Sequence, residues 1–255
     1  MNLEHLGQSG LKINNANKCI LIDPYLSNSV QELDSFDLKR EVPILYKPEE
    51  LTNVEYILFT HEHIDHCDPH TVPIIAANNP KAKLIGPYLV REKLSEWNIS
   101  SERIISLKNS EIDLGNGCTI LSVPAAHPKL DYSSDHFPKS VGWLIKYKEN
   151  LIYLSGDTKV HEKIIDFLKK MPRIDLAILP VNEDNFFRRR RGIIGNMSIR
   201  EAFQLTDELE IKNLFPVHWD MFEANSALPE EIKIIYEGYK WSFQLVKNLQ
   251  NLTFD

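Results

Sequence analysis

The chain has 255 residues, 43% hydrophobic and 25% charged, which is enough to bury a sizeable core and excludes a disordered chain. Its formal net charge of −7 disfavours non-specific binding to nucleic acid or membrane surfaces, and no run approaches the roughly 18 apolar residues of a membrane span. Three widely spaced cysteines (Cys19, Cys67, Cys118) form no CxxC pair, and the opening MNLEHLGQSG lacks the basic-then-apolar pattern of a secretory leader; together they predict free thiols in a cytoplasmic protein.

In chain order, short apolar runs rich in Ile, Val, Leu and Tyr recur at 19–23, 55–60, 82–86, 119–124, 141–147, 150–156, 174–181 and 213–218. Their lengths predict strands, and several are apolar throughout, as strands covered on both faces are. Between them lie helical patterns. Asp68 and Pro69 read as an N-cap and first-turn proline opening a helix. Val160, Ile164, Ile165 and Leu168 share one face of a helix over 158–170. The sequence SIRE at 198–201 matches a capping box, and apolar spacing predicts a further helix over 229–247. Segment 26–50 is polar and irregular, and reads as a flap of the kind that carries substrate contacts. The alternation predicts an α/β protein, layered around sheets, as one domain over 1–255.

The segment 60–69, THEHIDHCDP, places three histidines and three acidic residues within eight positions, directly after a strand. Extended backbone sends alternate side chains the same way, so His61 and His63 can face one ion, and a turn returns Asp65 and His66 to the same space. Neutral imidazoles and a carboxylate suit zinc, manganese or iron without a thiolate. A polar turn with solvated histidines is the alternative for any one of them, but not for the set. First-row ions take roughly four to six ligands, so other segments must contribute. His127, Asp157 and His218 each lie just past the end of a predicted strand. Seven donors from four strand ends can hold two adjacent divalent ions with a carboxylate between them. His5, His70 and His161 read as structural or solvated, and Cys67 as a buried small side chain.

These residues resemble, in kind and order, the metallo-β-lactamase superfamily: HxHxDH at 61–66, then His127, Asp157 in SGDT, and His218. The openings HLGQSGLKI and CILIDPYLS are similar to the family's first strands, with Asp23 as support for the metal loop. Within the superfamily, THEHIDHCD, RGIIGNMSIREA and LFPVHWDMF are most similar to the L-ascorbate-6-phosphate lactonase group. The resemblance implies a four-layer αββα sandwich with the metals at one edge. It further implies His61, His63 and His127 on one ion, Asp65, His66 and His218 on the other, and Asp157 bridging. Manganese or zinc, and a lactone or related ester as substrate, follow from the same likeness. The arginine run is longer here than in the lactonases, so the exact substrate is not carried over.

A divalent ion lowers the pKa of bound water from about 15.7 to about 7, and Asp65 or Asp157 is placed to orient the nucleophile. The absence of a cysteine ligand argues against lactam cleavage and for hydrolysis of an ester or phosphoester. Specificity is expected from 182–198, NEDNFFRRRRGIIGNMS, where four consecutive arginines suit bidentate binding of phosphate or carboxylate. Arg191, with Arg190 beside it, is the expected contact, and His136 a further one. A nucleic-acid reading of the run conflicts with the acidic surroundings. The leading expectation is hydrolysis of a small anionic ester such as a phosphorylated sugar lactone. A phosphodiesterase, with Asp68 as an additional carboxylate, and a non-catalytic metal-binding protein are the other two readings. Oligomeric state leaves no mark in the sequence, and a homo-oligomer stays open.

Overall fold

Two sheets face each other in a computed structural model that describes residues 1–15, 18–106 and 111–254. The first sheet comprises β1 (Asn2–Gly7), β2 (Gly10–Asn15), β3 (Lys18–Ile22), β4 (Val54–Leu58), β5 (Lys83–Gly86) and β6 (Ile104–Ser106), in that spatial order. The second comprises β7 (Glu111–Gly115), β8 (Cys118–Pro124), β9 (Val141–Tyr147), β10 (Asn150–Leu154), β11 (Leu176–Pro180), β12 (Asn213–Val217) and β13 (Gln244–Leu245), again side by side in sequence order.

The period-two alternation of each strand divides its side chains between layers. Leu11, Ile13, Ile20 and Ile22 of the first sheet meet Ile120, Trp143, Ile145, Ile152 and Ile178 of the second in one shared core. The alternate residues turn outward. Cys19, Leu21 and Ile57 pack under α2 (Val72–Asn78) and α3 (Tyr88–Glu96). Leu144, Tyr153, Ala177 and Leu179 pack under α4 (Glu162–Leu168), α6 (Ile199–Glu208) and α7 (Pro229–Glu237). The result is the expected αββα order of layers. Strands apolar throughout, such as β9 and β11, are those covered on both faces.

Strand directions position the site. In the first sheet β3 to β6 are mutually parallel, and β1 runs the same way because β2 is antiparallel to both β1 and β3. In the second, β10, β11 and β12 are parallel, and β8 shares their direction because β9 opposes both β8 and β10. The carboxyl ends of β8, β10 and β12 therefore share one edge of their sheet, and those of β1, β3 and β4 share one edge of theirs.

Three sequence expectations move. The helix expected over 229–247 ends at Glu237, because the chain turns at Gly238 and re-enters the sheet as β13, although Phe243 keeps its apolar contacts. The helix expected from 158 starts at Glu162, capped by the His161 side chain, which accepts the Lys163 N–H at 3.1 Å. The helix after the histidine motif starts at Val72; Asp68 instead accepts the His70 N–H at 2.9 Å and the Thr71 hydroxyl, closing the turn before it. Segment 26–50 contains a short helix, α1 (Ser29–Leu33), and is anchored by Arg40. That guanidinium donates to the carbonyls of Tyr25 and Val42 and lies 4.7 Å from the Tyr25 ring centroid.

Candidate metal centre

Four strand ends bring the donors to one point. The loop after β4 carries His61, His63, Asp65 and His66; those after β8, β10 and β12 carry His127, Asp157 and His218. The structure brings all seven together as three overlapping donor groups: His61 with His63 and His127, His61 with His66 and Asp157, and Asp65 with His66 and His218. Local backbone makes this reachable. His218 adopts φ 62°, turning the chain sharply at the end of β12. Gly156, at φ +59°, lets the Asp157 turn close on the metal loop, since a Cβ there would lie 2.6 Å from the Thr60 Cβ.

The donor spacing is that of ligands around common ions. His63 Nδ1 and His127 Nε2 are 3.2 Å apart. His218 Nε2 lies 3.2 Å from Asp157 Oδ2 and 3.3 Å from Asp65 Oδ2, and His66 Nε2 lies 3.3 Å from Asp157 Oδ1. With bonds of about 2.1 Å, ligands on one first-row ion sit roughly 3.0–3.4 Å apart. His61 Nε2 is buried and makes no hydrogen bond among the described residues, a costly arrangement for a polar atom that nothing engages. The residues fit two divalent ions. Asp157 reaches both groups, its Oδ2 being 3.2 Å from His218 Nε2 and 3.8 Å from His127 Nε2.

A second layer of contacts aims the ligands. Asp23, fully buried at the end of β3, accepts the Thr60 N–H at 2.8 Å and the Thr60 hydroxyl at 2.5 Å. It also pairs with His66 Nδ1 at 2.8 Å, which fixes a proton there and makes Nε2 the atom presented to an ion. Thr60 Oγ1 meets His61 Nδ1 at 3.0 Å and does the same for that ring.

Electrostatics hold the two carboxylates ionised and His61 and His127 neutral, the forms a cation needs, while His66 and His218 favour a proton that an ion has to displace. Burial alone would favour the protonated form of Asp157, but His218 and His66 outweigh it and hold the carboxyl well below the usual range. The same contest holds Asp65 low, with His66 and His218 prevailing over burial. Burial, reinforced by the neighbouring imidazoles, keeps His61 neutral. Burial pushes His127 down to about 4 against the pull of Asp157. At His218 burial is overcome by Asp157 and Asp65, which lift it to about 9.

The centre forms the floor of a cleft of about 460 Å³. One wall is Val30, Asp34, Ser35 and Leu38 from segment 26–50; the other is Arg191 to Ile194, with Phe222 closing the end. Arg191 lines the cleft, 3.9 Å from Asp37 across its mouth. The other three arginines of the run, Arg190 among them, lie outside the cleft lining. Arg188 donates to the carbonyls of Asn182, Glu183 and Ser226. Arg189 pairs with Asp184 at 3.2 Å, and Arg190 extends over the exposed Phe186 ring, outside the cleft lining. His136 sits on an exposed turn at φ 63°, also outside it, because the loop points it to solvent. The loop containing Arg191 is held by α5 (Phe186–Arg190) and by Gly195, where a Cβ would lie 2.3 Å from the Asp184 Cα. Asp68 and Cys67 are buried away from the donor groups, and burial pushes the Cys67 thiol well up.

Sequence reasoning missed Gln8. It follows β1, is 1% exposed, and its Nε2 lies 2.6 Å from Asp65 Oδ2. The one available signal was a polar residue at the carboxyl end of the first strand, in the turn GQSG.

This fold and donor set define a class, and the comparisons agree. The chain belongs to the metallo-β-lactamase superfamily: the model of the beta-lactamase superfamily domain matches residues 18–219. It is similar to a UPF0173 metal-dependent hydrolase of Pyrococcus horikoshii, 30% identical over 235 residues that cover 91% of this chain and 90% of the relative. Among solved structures it is similar to Igni18, a metallo hydrolase from Ignicoccus hospitalis, with TM-score 0.68 and 20% identity over 96% of this chain and 93% of the other. It is also similar to an isothiocyanate hydrolase from Delia radicum gut bacteria, with TM-score 0.72 and 18% identity over 96% of each chain.

Proposed function

We propose that the protein is a metal-dependent hydrolase of a small anionic ester, with a phosphorylated sugar lactone as its substrate class. The observation that carries this reading is the cleft: His63, Asp65, Asp157 and His218 of the seven-donor cluster form its floor, and a single arginine, Arg191, lines its rim. Its volume of about 460 Å³ suits a small molecule rather than a polymer. The similar relatives named metal-dependent hydrolases support the reaction class.

Bound divalent ions would supply an activated water and stabilise negative charge as the carbonyl is attacked. The chain's own residues do the rest. Asp65 is 17% exposed against 4% for Asp157, so Asp65 is the carboxylate that an attacking water meets from the cleft. Held ionised, its carboxylate accepts a hydrogen bond from that water and orients it. Arg191 presents a planar donor pair to the anionic end of the substrate. Val30, Leu38, Ile193 and Phe222 exclude bulk water around it.

The phosphodiester alternative leaned on Asp68, whose carboxylate is spent on His70 and Thr71. A direct comparison on Mn²⁺-loaded protein tests the choice, with a sugar-phosphate lactone against a generic phosphodiester and His61→Ala as the control for contaminants. Lactone turnover should dominate and vanish in the control. Arg191→Ala should raise KM by about tenfold or more with kcat little changed, since it removes binding common to ground and transition states. Phosphodiester turnover that exceeds lactone turnover would overturn the substrate class.

A further inference from the structure

We infer that Gln8 is an additional ligand of the ion held by Asp65, His66 and His218, donating its amide oxygen. The inference rests on the metal centre of the proposed hydrolase and not on its substrate.

The turn between β1 and β2 is built to deliver this side chain. Gln8 adopts φ 52°, in the left-handed region that a non-glycine residue enters at a cost. Its carbonyl accepts the His218 N–H at 3.2 Å and meets His5 Nε2 at 3.0 Å, so the turn is stitched to the loop that carries the ligand. The side chain then runs inward. Its Nε2 lies 2.6 Å from Asp65 Oδ2 and 3.0 Å from His218 Nε2, and Oε1 is buried with no hydrogen bond among the described residues.

The two atoms that Gln8 touches are the donors that must face the ion. Asp65 Oδ2 and His218 Nε2 are themselves 3.3 Å apart, and His66 Nε2 is 3.6 Å from the same carboxylate oxygen. An amide NH₂ in that position would aim its positive end at a cation. The two ends of a carboxamide have the same shape, and a half-turn about the last side-chain bond exchanges them. That half-turn places Oε1 within ligand spacing of both donors. One end of the amide is buried without a partner in either orientation, so the ion decides between them. A carboxamide oxygen is an accepted ligand for hard and borderline divalent ions.

The competing role is that of a hydrogen-bond donor that only orients Asp65, and a charge-changing substitution separates the two. Zn²⁺ uptake by ion-free wild type, Gln8→Leu and Gln8→Glu is measured by competition with a chromophoric chelator, without substrate. Wild type should take two equivalents. Gln8→Leu should keep the equivalent held by His61, His63 and His127 and bind the other at least about tenfold more weakly, the scale at which even indirect partners act. Gln8→Glu retains an oxygen and should bind that second ion as tightly as wild type or tighter. Equal weakening in Gln8→Glu and Gln8→Leu overturns the assignment, because a donor role predicts it: two carboxylates would then face each other at Asp65. Undiminished binding by Gln8→Leu, or a single equivalent in wild type, overturns it too. If the ion-free melting curve shows that Gln8→Leu does not fold, Gln8→Glu decides alone. Failure of lactone hydrolysis leaves this result untouched, and lactone hydrolysis with Gln8-independent ion uptake removes this inference alone.

Discussion

Asp23 contributes no ligand atom, yet three hydrogen bonds from the metal loop end on it: the Thr60 N–H and hydroxyl, and His66 Nδ1 at 2.8 Å. It fixes the tautomer and ring angle of His66, so Asp23→Asn, whose NH₂ cannot accept that proton, should weaken the ion bound by His66 about 10–100-fold. A chelator-competition titration checks this, and unchanged affinity would contradict it. The ligands also make ion uptake depend on pH. Without an ion, Asp157 and Asp65 prevail over burial and lift His218 to about 9, and His66 is raised in the same sense. Below pH 9 an incoming ion must displace the His218 proton. Affinity should therefore rise with pH from neutrality through about 9, with protons released at pH 7 as His218 and His66 are ligated. Titration in a weakly buffered solution counts those protons, and release of none would show that both rings are already neutral.

Ser198 starts α6 with reciprocal bonds: its hydroxyl accepts the Glu201 N–H at 3.2 Å, and the Glu201 carboxylate accepts the Ser198 N–H at 2.8 Å. Ser198→Ala should cost about 1 kcal/mol, read as a lower denaturant midpoint with the slope unchanged. This helix start was readable from SIRE, because a capping box is a local device whose residues lie three apart. So was the strand-end placement of His61, His127, Asp157 and His218, because strand length and burial leave a local apolar run. The end of α7 was not readable. Phe243 keeps helical spacing with Ile232 and Ile235, but it reaches the same core from beyond the turn at Gly238. The separate placement of the four arginines was not readable for a related reason. Four identical residues take four fates, set by the carbonyls of Asn182, Glu183 and Ser226, by Asp184, by Phe186 and by the cleft. Gln8 was hidden because its partners Asp65 and His218 are 57 and 210 residues away along the chain.

Across the molecule, one decision about strand direction does most of the functional positioning. The carboxyl ends of β1, β3 and β4 meet those of β8, β10 and β12 at one edge of the sandwich, so donors from Gln8 to His218 become neighbours. The rest of the interior is closed to solvent chemistry. All three cysteines are free and buried, and burial lifts Cys19 and Cys118 to about 11. At pH 8 only about one in a thousand of those two thiols is ionised, so the folded protein should resist iodoacetamide and react at three sites once denatured. Rapid modification of the native protein, followed by mass spectrometry, would contradict the packing described. Among the described residues no helix is long and apolar enough to cross a membrane.

If this shared edge is the hydrolytic centre proposed above, its activity depends on its ions. The most direct measurement is ester turnover by ion-free protein as Mn²⁺ is added back, plotted against bound ion per chain. Hydrolysis should be negligible without ion, rise to saturation at two equivalents, and not rise in His61→Ala. Hydrolysis indifferent to bound ion, or equal in His61→Ala, would contradict it.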